Sequence, residues 1–226
     1  MKRPRLLDLF CGAGGAAMGY YRAGFDVVGV DIKPQPRYPF EFYQGDAMTW
    51  PLDGFDVVHA SPPCQAYSIL QKQNKRAYPD LIQQVRTHIT CADVEYIIEN
   101  VKGAPLRNPV MLCGTMFPNL RVIRHRMFEA SFPLDVLEHK RHPLVFTYDK
   151  RKFHYGKLDQ DTSFVQVTGG GNCTIHNARR ALGIHWMNKK ELNESIPPVY
   201  TEYIGKQLIQ HLRHAIESTK STQSTK

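Results

Sequence analysis

The first hundred residues alternate short apolar runs with helix-like segments, and nearly every run stops on a polar residue or a tight turn. Arg5 to Phe10 leads into Cys11-Gly12-Ala13-Gly14-Gly15. Val27 to Val30 ends on Asp31, and Phe42 to Gln44 reaches Gly45-Asp46. Phe55 to Ala60 opens onto Ser61-Pro62-Pro63-Cys64, and Tyr96 to Ile98 ends on Glu99-Asn100. Between the runs, Ala16 to Ala23 reads as a helix stopped by Gly24, and Pro79-Asp80 caps a second helix through Cys91. This order predicts βαβ units and an α/β fold built on a mostly parallel sheet. Such a sheet gathers the C-terminal ends of its strands along one edge, where α/β proteins hold their ligands.

After Leu112 the pattern weakens. Arg121 to Ile123 and Arg126 to Glu129 read as strands. Residues 133–165 are charged and aperiodic, and Thr168 to Asn172 form a glycine loop. Asn177 to Leu182 and Asn188 to Leu192 start helices. Pro197-Pro198 opens a last one, from Val199 to about Ile216, with Tyr203, Ile204, Leu208, Leu212 and Ile216 on its apolar face. Four units follow: a core over residues 1–130, a small region over 131–185, returning helices over 186–217, and a disordered Ser/Thr/Lys tail over 218–226.

The 226 residues hold 29 Lys and Arg against 21 Asp and Glu, a net charge of +8 that suits a polyanionic partner. A solvated basic face is an equal reading of the same charge. Five cysteines without paired spacing point to a reduced, cytoplasmic compartment. Cys91 and Cys113 read as small buried apolar residues. The histidines, including His125, His139, His142 and His154, have no metal-like spacing, so no metal is expected. Leu6 to Phe10 is too short for a signal sequence, and no apolar run reaches membrane-spanning length.

The strand ends carry the chemistry. Asp31, about twenty residues after the glycine turn, is placed to bind ribose hydroxyls, and Asp46 to accept from an adenine amino group. Cys64 is a nucleophile for an electron-poor ring carbon such as C6 of cytosine. Glu99 is placed to donate to or protonate N3. Arg126 is the candidate for holding the O2 carbonyl, with Arg124 in support. Addition at C6 makes C5 carbanion-like and able to take a methyl group from a sulfonium. Each residue alone has a plain structural reading; Cys64, Glu99, Arg124 and Arg126 together favour the enzyme.

These segments resemble the cytosine-C5 DNA methyltransferase family. Asp8 to Gly15 is similar to its first motif, Pro62-Pro63-Cys64-Gln65 to its nucleophile motif, Glu99-Asn100-Val101 to its ENV motif, and Arg124-His125-Arg126 to its RxR motif. The resemblance implies a Rossmann-like, mostly parallel sheet of the S-adenosylmethionine-dependent methyltransferase type, in a compact member with a reduced target-recognition region. It implies S-adenosyl-L-methionine as cofactor, held by Phe10, Gly12, Gly14, Asp31, Ile32, Asp46 and Ser195. It implies Cys64, Glu99 and Arg126 as catalytic, and Asn100 as a brace for the Cys64 loop. Where family members carry Gly-Asn in their closing motif, this chain has Asn193-Glu194-Ser195-Ile196, so Glu194 stands at the matching asparagine.

The expected partner is double-stranded DNA with a flipped cytosine. Gln65, Lys72, Lys75 and Arg76 are the expected nucleic-acid contacts, in a monomer without metal or membrane, inside a bacterial or phage-infected cell and suited to restriction-modification. The same chemistry on RNA or a cytosine nucleotide stays open, as does an inactive nucleic-acid-binding module.

Overall fold

The computed structural model describes residues 2–67, 80–142, 145–146, 164–168 and 173–223. In chain order the elements are β1 (Arg5–Leu9), α1 (Gly15–Ala23), β2 (Asp26–Asp31), β3 (Glu41–Gln44), β4 (Val57–Ala60), α2 (Ile82–Thr90) and β5 (Glu95–Asn100). Then come β6 (Val110–Leu112), a short 3-10 turn over Gly114–Met116, β7 (Arg126–Ala130), β8 (Val145–Phe146), β9 (Phe164–Val165), α3 (Ile175–Leu182), α4 (Lys189–Glu194) and α5 (Pro198–Gln223).

Seven strands form one sheet in the order β3-β2-β1-β4-β5-β7-β6. β3 through β5 are parallel neighbours, while β7 runs antiparallel to both β5 and β6. The chain winds outward from β1 to β3 and then returns to the other side of β1 with β4. That reversal opens a crevice above the C-terminal ends of β1 and β4. The expected α/β class with a mostly parallel, Rossmann-like sheet is what is observed.

The near-continuous apolar strands follow from burial on both faces. Along β1, β4 and β5, alternate residues enter two separate cores: Leu6, Val57 and Ile97 on one face, Leu7, Val58 and Ile98 on the other. The first face is covered by α1 and α5, the second by α2. The edge strand β3 has little to bury and carries Glu41, Tyr43 and Gln44 exposed.

Two expectations change here. α5 continues to Gln223, so the Ser/Thr/Lys stretch expected to be disordered from residue 218 is helical as far as that residue. Extending an existing helix fixes one residue per hydrogen bond, which is far easier than nucleating one. Cys91, expected to be buried, is exposed at the end of α2. Among the described residues no helix is long and apolar enough to cross a membrane.

Candidate active site

A cavity of about 380 Å³ opens at the crevice. Its wall is drawn from the glycine turn after β1, the end of β2, the loop after β4, the end of β5, the start of β7, and the stretch from Glu191 to Ile196. Residues far apart in sequence meet because parallel strands end together. Ser61 N–H donates to Leu9 O at 3.2 Å, which ties the Cys64 loop to the glycine turn.

Cys64, Gln65, Glu99 and Arg126 all line this cavity. The Cys64 loop is braced from beneath: fully buried Asn100 donates through Nδ2 to Pro62 O at 2.9 Å. Arg126 Nε stands 2.8 Å from Glu99 Oε1. The pair is close as charges but off the line of a hydrogen bond, so Oε1 is left without a hydrogen-bond partner. Burial pushes the Glu99 carboxyl above its usual range, against the pull of Arg126 and a hydrogen bond from Ser61. Burial likewise raises the Cys64 thiol; Arg126 lowers it and Glu99 raises it further. The resting sulfur is therefore a thiol whose ionisation depends on the guanidinium beside it.

Arg124 does not line the cavity. It is buried behind it, donating to Val167 O at 2.7 Å and to Asn193 O at 2.6 Å. Tyr200 hydroxyl donates to Arg124 O at 2.6 Å. Arg124 thus fastens the strand that carries Arg126 to the chain ahead of α5.

On the other side, Phe10, Gly12, Asp31, Ile32 and Ser195 line the cavity. Phe10 holds a left-handed backbone (φ 58), uncommon for a bulky residue and placed where the strand must turn sharply. Asp31 accepts from Gly12 N–H through Oδ2 and from Lys33 N–H through Oδ1, both at 3.0 Å. Each carboxylate oxygen keeps a second lone pair for another donor. Ile32 is 66% exposed at the lip of the cavity. Gly14 is not at the cavity; a side chain there would strike Pro39 Cδ at 2.7 Å, so its role is the turn itself. Asp46 does not reach the cavity either. β3 ends at Gln44, and Asp46 caps the next turn by accepting from Met48 N–H at 2.9 Å. Lys72, Lys75 and Arg76 lie outside the described residues. The flanks of that stretch meet, because Tyr67 hydroxyl donates to Asp80 Oδ1.

Several site residues escape sequence reading. Asp8 lines the cavity with a buried Oδ1 that has no partner, and burial holds its carboxyl well above the usual range. Asn193, read only as a flank of the closing motif, also lines the cavity, and its Oδ1 is unpartnered. Behind Glu99 lies a buried chain: Tyr20 hydroxyl 3.0 Å from His59 Nδ1, and His59 Nε2 2.9 Å from Ser61 Oγ. Burial drives the His59 pKa down to about 3, so the ring is neutral. With Ser61 donating to Glu99, the consistent tautomer has Nε2–H donating to Ser61 and Nδ1 accepting from Tyr20. Every donor in the chain then points toward the carboxylate. The sequence hint was a histidine in an otherwise apolar strand.

The histidines also differ from expectation. Although they lack metal-like spacing along the chain, His125, His139 and His142 converge with Cys113, their ligand atoms all within 4.8 Å of one another.

Residues 4–108 match the family model described as C-5 cytosine-specific DNA methylase. A curated relative, the type II methyltransferase M.XorII of Xanthomonas oryzae pv. oryzae, is 34% identical over 128 residues. That match takes in 46% of this chain and only 29% of the relative. Among solved structures, one titled as a DNA modification methyltransferase encoded within an E. coli prophage superposes with a TM-score of 0.65 at 16% identity, covering 93% of this chain and 99% of that one. The Entamoeba histolytica methyltransferase EhMeth gives 0.61 at 13% identity, covering 94% and 99%. The S. pombe Dnmt2 methyltransferase gives 0.56 at 17%, covering 93% and 99%. At these identities the structures speak for the fold. The segment that builds the glycine turn, the Cys64 loop and the Glu99 strand is the segment that is similar to the C-5 cytosine-specific DNA methylase family, so the likeness lies in the part of the chain that lines most of the cavity.

Proposed function

We propose that this chain transfers a methyl group from S-adenosyl-L-methionine to C5 of cytosine in double-stranded DNA. The observation that carries the reading is one cavity lined by Cys64, Glu99 and Arg126 on one side and by Phe10, Gly12 and Asp31 on the other. Three buried oxygens without hydrogen-bond partners belong to residues of the same wall: Asp8 Oδ1, Glu99 Oε1 and Asn193 Oδ1. Unpaired buried acceptors are costly, and a ligand bearing N–H or O–H donors satisfies them.

The wall fits a nucleoside sulfonium. Asp31 would accept from ribose hydroxyls, Phe10 and Ile32 would offer apolar surface to a purine, and Asp8 would accept from an ammonium group. When bound, the cofactor supplies an electrophilic methyl carbon. Cys64, as thiolate, adds to C6 of the ring. Glu99 gives a proton or a hydrogen bond at N3, and burial, which raises its pKa, favours the protonated form that this role needs. Arg126 stabilises charge at O2 and favours the thiolate. C5 takes the methyl group; loss of the C5 proton and expulsion of the Cys64 sulfur restore aromaticity. A cytosine in a duplex must leave the stack to enter this cavity, at a cost of a few kcal/mol.

Trapping tests the reading. With a duplex containing 5-fluorocytosine and S-adenosylmethionine, the C5 position cannot release a proton, and the protein accumulates as a covalent adduct. Cys64→Ser abolishes the adduct while keeping the fold. An adduct formed with RNA and not with the duplex would move the substrate to RNA, and none with either would remove the activity.

A further inference from the structure

We propose that Cys113, His125, His139 and His142 form a structural zinc site beside the segment that carries Arg124 and Arg126. The four come from three places: Cys113 after β6, His125 just before β7, and His139 and His142 from the coil that follows β7. His139 Nε2 lies 3.1 Å from His142 Nε2 and 3.3 Å from His125 Nε2, and Cys113 Sγ lies 3.5 Å from His142 Nε2.

Those separations are the edges of a coordination tetrahedron. Zn–N bonds of roughly 2.0–2.1 Å and a Zn–S bond of roughly 2.3 Å give N···N edges of about 3.3 Å and N···S edges of about 3.6 Å. The remaining edges, all within 4.8 Å, need to close by about 1.5 Å at most to complete it. Hydrogen bonding among neutral rings explains the convergence less well. A neutral imidazole nitrogen either donates or accepts, yet the three Nε2 atoms crowd together around one point. A cation at that point uses every lone pair.

The donor set selects the ion. One thiolate and three imidazoles, with no carboxylate among them, suit a borderline-soft tetrahedral cation and exclude magnesium and calcium. Four protein ligands leave no open position, so the site is structural and does not activate water. Thr115 supplies the outer support that thiolate ligands use. Its Oγ1 sits 3.5 Å from Cys113 Sγ and 3.4 Å from Lys140 O, between the buried ligand and the coil bearing His139 and His142.

The site also has a task in the fold. The coil from Ser131 to His142 has no helix or strand of its own. Its middle is held by Asp135 N–H donating to Gln207 Oε1 at 2.7 Å and by Tyr203 hydroxyl donating to Asp135 O at 3.1 Å. A metal at its end would clamp it to β6 and to the residue between Arg124 and Arg126. Side chains alternate along extended backbone. His125 faces the other histidines, while Arg124 reaches Asn193 O and Arg126 reaches Glu99.

The experiment uses the full chain. Protein purified without chelator is expected to carry one zinc per chain by elemental mass spectrometry. Stripped protein titrated with Zn(II) is expected to recover it and to gain thermal stability. His139→Ala and His142→Ala alter accessible ligands and keep the fold; each should weaken Zn(II) binding by more than the roughly 10–100-fold that losing an outer-shell partner costs. Cobalt-substituted protein should show tetrahedral d–d bands and a thiolate charge-transfer band that Cys113→Ser removes. If Cys113→Ser does not fold, site-resolved alkylation replaces it, with Zn(II) protecting the Cys113 thiol in the otherwise unaltered protein. No zinc uptake, or equal uptake by the His139→Ala/His142→Ala double variant, overturns the site.

Discussion

At the scale of single residues, the cavity is governed by two charges acting in opposite senses on one sulfur. Burial raises the Cys64 pKa, Arg126 draws it down, and Glu99 pushes it up. Replacing either charge should therefore move the thiol in opposite directions. Arg126→Ala is expected to shift the pH profile of Cys64 alkylation by iodoacetamide upward, and Glu99→Gln to shift it downward. Site-resolved mass spectrometry reads both. Shifts of the same sign in the two variants would show that the charges do not act on the sulfur directly. Cys64 and Glu99 were legible because each follows an apolar run and has a reactive or charged side chain, and Arg126 because it opens one. Asp8, His59 and Asn193 were not, since nothing in a linear pattern shows that a polar side chain is buried or which partner it lacks.

Among the elements, the crossing of α1 and α5 sets how closely the C-terminal helix lies on the core. Gly19 makes the crossing possible: a Cβ there would stand 2.1 Å from both Pro198 O and Thr201 Oγ1. Thr201 Oγ1 already donates to Ala16 O at 2.8 Å, so the helices are joined through the small-residue face. Gly19→Ala gains about 1 kcal/mol of helix propensity. Overpacking against a backbone carbonyl costs about 1–3 kcal/mol or more, so the variant should unfold at lower urea, with an unchanged slope. Equal or higher stability would mean that α5 moves away freely. The apolar periodicity of α5 was readable in the sequence, and its start at Pro198 follows from the fixed φ of proline in a first helical turn. Its extension to Gln223 was not readable, because composition describes a segment in isolation and the helix inherits its nucleus from the packed part. The place of Asp46 shows the same limit. A strand-end acid was expected at the cavity, but β3 stops two residues short and the acid caps a turn.

For the whole molecule, the net charge of +8 becomes informative once the cavity's position is known. On the proposed reading, duplex DNA must approach the C-terminal edge of the sheet with its phosphates against basic side chains. Affinity for a duplex should then fall with salt at a slope near −0.9 per phosphate neutralised. Three such contacts give about a fortyfold loss between roughly 50 and 200 mM; a flat response would separate the charge from any role in binding. The sequence by itself determined the α/β class and a mostly parallel sheet, and it singled out Cys64, Glu99, Arg126 and Asp31, which all line the cavity. All are local signals: an apolar run, a turn, and the side chain that ends or opens the run. Tertiary structure alone decided which strand ends share a cavity, which buried oxygens lack partners, and that Cys113 meets three histidines. Those facts depend on strand order and on a coil folded back across the sheet edge, and contacts between residues distant in the chain leave no periodic trace along it.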